Sequence, residues 1–93
     1  MDDIFLKNLP ALDLHGYDAE SAIVATNDFI SENIMLKKAK IIIIHGKGTG
    51  KIKKVVHSTL KGRKEVSNYH TANNNDGCTI VYLNAWQSNI AML

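Results

Sequence analysis

Cysteine and proline occur only once each in this 93-residue chain, and long apolar runs are missing. The single cysteine, Cys78, excludes an internal disulfide and a zinc site built from several cysteines, and it favours a reducing compartment. No apolar run approaches the roughly 20 residues that span a bilayer. The acidic start MDDIFLKNLP is unlike a signal peptide. These absences predict a cytoplasmic protein that is not inserted in a membrane.

Linkers and low-complexity segments are also missing, so the sequence predicts one domain over residues 1–93. Its body is expected at 10–83, followed by a C-terminal tail at 84–93. Hydrophobic residues make up 45% and charged residues 22%, which is the balance of an ordinary globular domain. The tail is apolar at Trp86 and Ile90, which could pack back onto the body.

Negative charge is missing from one long stretch of the chain. Carboxylates lie mostly before residue 33, whereas the segment from Lys37 to Lys64 holds ten basic residues and no acidic one. A block of one sign attracts a polyanion, although a solvated basic surface would give the same pattern. The formal net charge is only +2, so the distribution of charge is more informative than its total.

The hydrophobic pattern predicts the element order β-α-β-α-β-β. The segment ALDL is a short strand, and Asp18 caps a helix predicted over about residues 18–35. AKIIIIH is apolar on both faces, which is typical of a central strand. A stripe from Ile52 to Leu60 predicts a second helix that ends at Gly62, with His57 off the stripe and exposed to solvent. EVSNYH, near an edge, and CTIVYL are joined by the turn NNNDG and predict an antiparallel hairpin. These elements give a small mixed sheet with helices packed on it.

The dipeptide His-Gly occurs twice, at His15 and at His45, and each pair ends a predicted strand and opens a turn into a helix. Parallel strands would bring both pairs to the same carboxyl edge of the sheet, where open α/β sheets bind ligands. Asp13 and His15 alternate onto one face, so the carboxylate could orient the imidazole. We expect His45 to meet them at this edge. The structural alternative, for either histidine alone, is a buried ring bonded to a carbonyl.

Glycines alternate with other residues in the run HGKGTGK that begins at His45. This run is not a P-loop, which requires G-x-x-x-x-G-K-[ST], because Lys51 stands where the second glycine is needed. Backbone amides at the start of a helix nevertheless suit a phosphate, although a plain strand-to-helix turn would use the same glycines. The predicted phosphate-binding residues are the glycines and the lysines around them: Gly46, Gly48, Gly50, Lys47, Lys51, Lys53 and Lys54.

Three motifs in this order and spacing resemble the Smr (small MutS-related) domain family, here as a small stand-alone member. LDLHG at 12–16 resembles its first motif, HGKGTGKIK at 45–53 its H-G-x-G-x-G-x-L-R motif, and GCTIVYL at 77–83 its closing strand. YHTA at 69–72 is similar to a segment that carries a histidine in some branches. The resemblance implies a two-layer α/β sandwich, similar to the C-terminal domain of translation initiation factor 3. Lys53 stands where the family usually has arginine.

The resemblance also implies nucleic-acid binding, since several family members nick DNA or cleave RNA, some of them on stalled ribosomes. We therefore predict an endonuclease with Asp13, His15 and His45 as catalytic residues, and His70 as a further nucleic-acid contact. One histidine would act as general base and the other would protonate the leaving oxygen. The sequence contains no clear set of metal ligands, although Asp13 with the histidines could hold one Mg²⁺ or Mn²⁺ ion.

Other functions fit parts of the same pattern. A DNA-, RNA- or ribosome-binding module without catalysis would use the same basic loop and helix. A protein-interaction domain would use the apolar tail, whose large side chains are Trp86, Ile90, Met92 and Leu93. An enzyme acting on a small molecule is supported by nothing beyond the loop.

Overall fold

The structure, a computed structural model, describes residues 9–84 of the chain. Over this range the elements are β1 (Ala11–Asp13), α1 (Ala19–Met35), β2 (Lys40–Ile44), α2 (Lys51–Lys61), β3 (Val66–Ala72) and β4 (Asn75–Leu83). The predicted order β-α-β-α-β-β is confirmed. The predicted packing of Trp86 and Ile90 against the body lies outside the described residues.

Within residues 9–84 the strands form one mixed sheet in the order β1-β2-β4-β3. β1 and β2 are parallel, whereas β4 runs antiparallel to both β2 and β3. The four isoleucines of β2 occupy a central strand, because β-branched residues pack well on a pleated surface and both faces of this strand carry apolar side chains. β3 lies at an edge, and both placements confirm the prediction.

The two described helices pack on the same face of the sheet and create the main core. Its buried residues come from both helices, from β2 and β4, and from Leu14: Leu14, Ala22, Ile30, Ile41, Ile43, Val56, Leu60, Val81 and Leu83. One layer of helices on one mixed sheet agrees with the sequence pattern and gives the two-layer α/β sandwich that the family resemblance implied. No helix in residues 9–84 is long and apolar enough to cross a membrane.

The opposite face of the sheet, called here the second face, carries a smaller apolar cluster. Its buried members are Ile42, Ala72, Cys78 and Ile80, with Leu9, Ile44 and Tyr82 packed against them. These positions alternate with the main-core positions along β2 and β4, as a period of two residues requires. Both strands are therefore apolar on both faces, as predicted.

The hairpin between β3 and β4 is tighter than the sequence suggested. Asn75 already pairs with Ala72, so the predicted turn NNNDG is reduced to residues 73–74, and β4 begins three positions before CTIVYL. The Asn75 side-chain oxygen accepts a hydrogen bond from the Gly77 amide at 2.9 Å. The asparagine thus supports the start of a strand, where its residue type alone indicated a loop.

Candidate active site at the carboxyl edge

The two His-Gly pairs lie at the same edge of the sheet. β1 and β2 are parallel, and the Leu14 amide, just before the first pair, donates to the Ile44 carbonyl, just before the second, at 2.8 Å. Each chain segment then turns through a glycine with a φ of +81°, Gly16 in one case and Gly46 in the other, a conformation that side chains disfavour. The prediction of a shared carboxyl edge is confirmed.

At this edge Asp13 and His45 lie on opposite faces of the sheet. Asp13 pairs with Ile44, which belongs to the second face, and its charge raises the pKa of Cys78 on that face, after the larger effect of burial. His45 follows Ile44, is only 7% exposed and bonds to groups on the helix-covered face. The expected meeting of Asp13 and His45 is therefore wrong, because adjacent residues of a strand point in opposite directions.

Asp13 bonds to the backbone of His15 and not to its ring. The Asp13 carboxylate accepts a hydrogen bond from the His15 amide at 2.9 Å, which shapes the turn after β1. The His15 side chain is exposed at the edge. Its imidazole is thus open to solvent and to a ligand, with no bond to the carboxylate that was predicted to orient it.

Residues 46–50, called here the glycine loop, connect β2 to α2. The loop ends at Gly50, the N-cap of α2, whose φ of +83° and missing side chain leave the helix without a side-chain cap from that position. Thr49 Oγ1 lies 3.3 Å from the Lys51 amide, which is long for a hydrogen bond. The first turn of α2 therefore presents backbone amides whose partial positive charge attracts an anion.

The surroundings of the glycine loop are positively charged. A depression of about 180 Å³ is lined by residues 45–53. Lys47 pairs with Asp76 at 3.7 Å, but both side chains are about 70% exposed, so the pair is weak and a stronger anion can displace it. Lys51 and Lys54 are exposed, and Lys53 is half-buried. The structure thus gathers the predicted lysines and glycines around one loop.

The base of the glycine loop is fixed to β4. The Gly77 carbonyl accepts hydrogen bonds from the amides of both His45 and Gly46, each at 2.9 Å. A Cβ on Gly77 would lie 3.3 Å from the Gly46 Cα, which is tighter than ordinary packing. The Gly46 amide is consequently already engaged, and any ligand must use amides further along the loop.

His45 is held by hydrogen bonds at both ring nitrogens. Its Nδ1 lies 3.0 Å from the Gly46 carbonyl oxygen, and its Nε2 lies 2.7 Å from Thr79 Oγ1. The same Thr79 oxygen lies 2.8 Å from His57 Nε2, and the two rings are 6.0 Å apart at their centroids. His57 also makes an edge-to-face contact with the Tyr69 ring at 5.0 Å. Two histidines therefore share one threonine beneath the glycine loop.

The prediction that His57 is solvent-exposed is wrong, and so sequence reasoning missed part of the site. His57 follows the buried Val56 and precedes Leu60 by three positions, so it borders the apolar stripe and reaches the sheet beneath α2. Thr79, the one residue with an aliphatic hydroxyl in the predicted strand CTIVYL, was the available sign of a polar contact in that strand.

Burial lowers the pKa of both rings in this cluster. For His45, the loss of hydration is the main cause; the bond with the Gly46 carbonyl opposes it, Lys53 adds to it, and Asp76 opposes it weakly. For His57, burial again comes first, followed by the neighbouring His45 and by Lys53. Both imidazoles are therefore neutral at pH 7.

The structure does not bring His70 to the glycine loop. His70 lies on the second face, where its Nε2 is 3.1 Å from the Tyr82 hydroxyl and its Nδ1 is 3.0 Å from the Thr71 carbonyl. Lys40 lies over the same Tyr82 ring at 5.4 Å. A nucleic acid would contact His70 only if it also reached that face.

One member of the basic block is structural. Arg63 donates hydrogen bonds to Asn27 and Ser31 of α1 and to Glu65, at 2.9, 3.3 and 3.0 Å. These contacts join α1 to the segment after α2 and leave little of the guanidinium for a ligand.

A metal site is not formed by the described residues. Over residues 9–84 no group of three or more His, Cys, Asp or Glu side chains is arranged to hold a metal ion. Asp13 in particular lies on the opposite face from His45, so the residues suggested for one divalent ion do not converge.

The Smr domain model matches residues 12–84, which is most of the chain, and the chain therefore belongs to the Smr domain family. Its curated relatives include Endonuclease MutS2 of Staphylococcus carnosus (strain TM300), 38% identical over 66 residues, which are 71% of this chain and 8% of that protein. Endonuclease MutS2 of Geobacillus sp. (strain WCH70) is 40% identical over 68 residues, 73% of this chain and 9% of that protein. The chain thus spans less than a tenth of the length of these relatives.

Solved structures show the same fold. The Smr domain of Thermus thermophilus MutS2 has a TM-score of 0.79 and 25% identity, covering 82% of this chain and 99% of that one. YdaL, a stand-alone small MutS-related protein from Escherichia coli, has a TM-score of 0.69 and 26% identity, covering 78% of this chain and 63% of that one. The predicted family and fold are confirmed.

Proposed function

We propose that this Smr domain binds nucleic acid at the carboxyl edge of its sheet and cleaves a phosphodiester bond there. The observation that carries the proposal is the open N-terminus of α2, surrounded by lysines, at the same sheet edge as the exposed His15. The relatives named Endonuclease MutS2 support the reaction class.

The phosphate is the group that the glycine loop is suited to hold. Loop amides beyond Gly46 and the N-terminus of α2 supply hydrogen-bond donors, and Lys47, Lys51 and Lys53 supply positive charge. Lys54 extends the basic surface along α2. Because phosphate contacts release counterions from a nucleic acid, binding should weaken steeply as the salt concentration rises.

His15 is the better placed of the two predicted histidines to act as general base. Its exposed ring can take a proton from water or from a ribose 2′-hydroxyl, whose oxygen then attacks phosphorus and breaks the bond to the leaving oxygen. Asp13 holds the turn that carries His15 through the backbone bond at 2.9 Å. The sequence left open which of His15 and His45 is the base and which protonates the leaving oxygen.

A direct assay tests the proposal. The purified domain is incubated with labelled single-stranded RNA and with supercoiled plasmid, with and without EDTA, beside His15→Ala and His45→Ala variants. We expect cleavage of at least one substrate and its loss in His15→Ala. Cleavage that survives in both separately purified variants comes from a contaminating nuclease and contradicts the proposal. The EDTA arm and the two substrates report metal need and the choice between RNA and DNA.

A binding module without catalysis is the second candidate. It is favoured by the engagement of both His45 ring nitrogens inside the protein, which leaves His15 alone to perform the chemistry. Salt-sensitive binding without cleavage products would identify this function. Ribosome association and a cytoplasmic location stay predictions, and fractionation of ribosomes from a cell that expresses the tagged chain would test both.

A further inference from the structure

Thr79 is fully buried beneath the glycine loop, between the buried His45 ring and the half-buried His57 ring. Its hydroxyl oxygen is 2.7 Å from His45 Nε2 and 2.8 Å from His57 Nε2, and its side chain has no exposed surface. A threonine hydroxyl carries one proton, so it can donate to only one of these two nitrogens. The other nitrogen must donate to the threonine oxygen.

The donor and acceptor in each of these hydrogen bonds follow from the last acceptor in the series, the Gly46 carbonyl. The Gly46 carbonyl can only accept, so His45 Nδ1, 3.0 Å away, carries the ring proton. A neutral imidazole has one ring proton, which leaves His45 Nε2 as an acceptor for the Thr79 hydroxyl. The Thr79 oxygen then accepts from His57 Nε2–H. Each bond runs the same way, from His57 through Thr79 and His45 to Gly46.

We propose that His57 and Thr79 are positioning residues that fix the His45 tautomer and thereby the shape of the glycine loop. This inference rests on the proposed function, whose phosphate-binding loop it explains. His45 is assigned to holding the loop, and proton removal is left to His15. Protonation of the leaving oxygen then falls to solvent water at this exposed edge.

The Gly46 carbonyl joins this series of hydrogen bonds to the glycine loop, because it accepts the bond from His45 Nδ1. In a trans peptide the carbonyl and the following amide point in opposite directions. Holding the Gly46 oxygen towards the His45 ring therefore directs the Lys47 amide away from that ring. Gly46 has a φ of +81° and little intrinsic preference for one peptide orientation, so an external hydrogen bond can decide it.

The first test is nitrogen NMR of the histidine rings in the free wild-type domain at pH 7.5. The proposal requires His45 protonated at Nδ1 and His57 protonated at Nε2. The opposite assignment, with His45 protonated at Nε2, overturns it. This measurement needs neither a variant that folds nor a nucleic acid that binds, so it is decisive even if the proposed function fails.

The second test compares Thr79→Val, which keeps the shape but removes the hydroxyl, with the matched control Thr79→Ser, which keeps it. In Thr79→Val we expect changed amide shifts and faster amide exchange at Lys47 and Gly48, and roughly tenfold weaker binding of a labelled single-stranded RNA. Thr79→Ser should restore both. His57→Leu removes only the first donor and should give a smaller effect, about threefold.

The outcomes separate the two proposals. Folded Thr79→Val with wild-type amide shifts and exchange at Lys47 and Gly48 overturns the positioning role, whatever the RNA does. A serine variant that behaves like the valine variant overturns it as well, because shape and not the hydroxyl would then matter. Wild-type protein that binds neither the labelled RNA nor the supercoiled plasmid overturns the proposed function, while the loop amides still decide the positioning role.

Discussion

The two strand–helix units that begin at the carboxyl edge differ in how they satisfy the helix N-terminus. In the first unit the Asp18 carboxylate accepts from the Ser21 amide at 2.8 Å, and the Ser21 hydroxyl oxygen accepts from the Asp18 amide at 3.2 Å, which completes a capping box. These bonds lower the pKa of Asp18, with a small further effect of Lys51. In the second unit Gly50 provides no side-chain cap, and the first turn of α2 holds no acidic residue.

The histidines of the two units differ in the opposite sense. His15 is exposed and its ring is free of the neighbouring carboxylate, whereas His45 is buried and bonded at both nitrogens. In the first unit the imidazole is exposed and the helix N-terminus is capped by side chains of the same helix start. In the second unit the imidazole is buried and the helix amides have no side-chain cap from Gly50. A ligand that spans both units would meet the exposed imidazole on one side and the uncapped amides of α2 on the other.

The largest effect is expected from removing the base of the first unit. His15→Ala should reduce the cleavage rate about a hundredfold or more, because general base catalysis contributes at that scale. RNA affinity should change by less than about twofold, since phosphate contacts dominate affinity. Cleavage rates and binding constants are measured on the same samples, with the exposed Glu32→Ala on α1 as a control. Equal losses in affinity and rate would place His15 in binding instead.

A carboxylate placed at the start of α2 should remove the difference between the capped N-terminus of α1 and the uncapped N-terminus of α2. Thr49→Asp places a negative charge where Thr49 Oγ1 now faces the Lys51 amide. We expect roughly tenfold or weaker RNA binding, because the carboxylate competes with the phosphate for the helix N-terminus. Thermal stability should rise slightly. The matched variant Thr49→Asn has a similar shape without charge and should bind within about twofold of wild type. Equal binding by both variants would refute an anion site at α2.

Removing one lysine of the second unit should have a moderate effect. Lys51→Ala should weaken RNA binding and reduce the slope of log affinity against log salt by about one, as expected for one lost phosphate contact. Lys38→Ala, exposed after α1, is the control and should leave the slope unchanged. A titration at several salt concentrations gives both slopes, and an unchanged slope for Lys51→Ala would exclude the contact.

The smallest expected effect is a dependence of stability on pH. Burial holds the pKa of His45 and of His57 below the ordinary 6.5, so the unfolded chain binds more protons than the folded one in mildly acidic solution. Their contribution is fully present above pH 6.5 and is lost as the pH falls below it. Lys53 acts in the same direction on both rings, and His45 does so on His57, whereas the bond with the Gly46 carbonyl and the charge of Asp76 oppose them at His45.

Urea unfolding at pH 7.5 and at pH 5.5 measures this effect. The midpoint should fall with pH in the wild type and in His15→Ala, whose substituted ring is exposed. Asp18 and Glu65, whose pKa values are lowered by hydrogen bonds, titrate at more acidic pH and do not contribute in this window. A midpoint that stays constant between the two pH values would contradict the buried neutral pair.

Local patterns were sufficient to predict most of the fold and half of the candidate site. The isoleucines of β2 and the cap at Asp18 are short-range features, so they indicated a central strand and a helix start directly. The glycine loop and its lysines are contiguous, and the structure gathers them as expected. These features depend on neighbours in sequence, which a pattern can describe.

The missed contacts depend on distant parts of the chain. The His57–Thr79 bond joins residues that are 22 positions apart and requires α2 to lie over β4 at one particular rotation. The pairing of Asp13 with Ile44 places the Asp13 carboxylate on the second face. The prediction had instead placed it close to His45, because the two residues share one edge of the sheet. Neither the rotation of a helix about its axis nor the face of a strand after a loop is fixed by local spacing.

The two hydrogen bonds that the Gly77 carbonyl accepts tie the base of the glycine loop to strand β4 of the sheet. The His45 and Gly46 amides are both bound to β4, and a Cβ on Gly77 would lie only 3.3 Å from the Gly46 Cα, so the base of the loop is closely coupled to the hairpin. A bend in β3 or β4 would therefore move the glycine loop at the carboxyl edge of the sheet. Substitutions in the β3–β4 hairpin, although distant from the glycine loop in sequence, are therefore expected to alter the conformation of that loop.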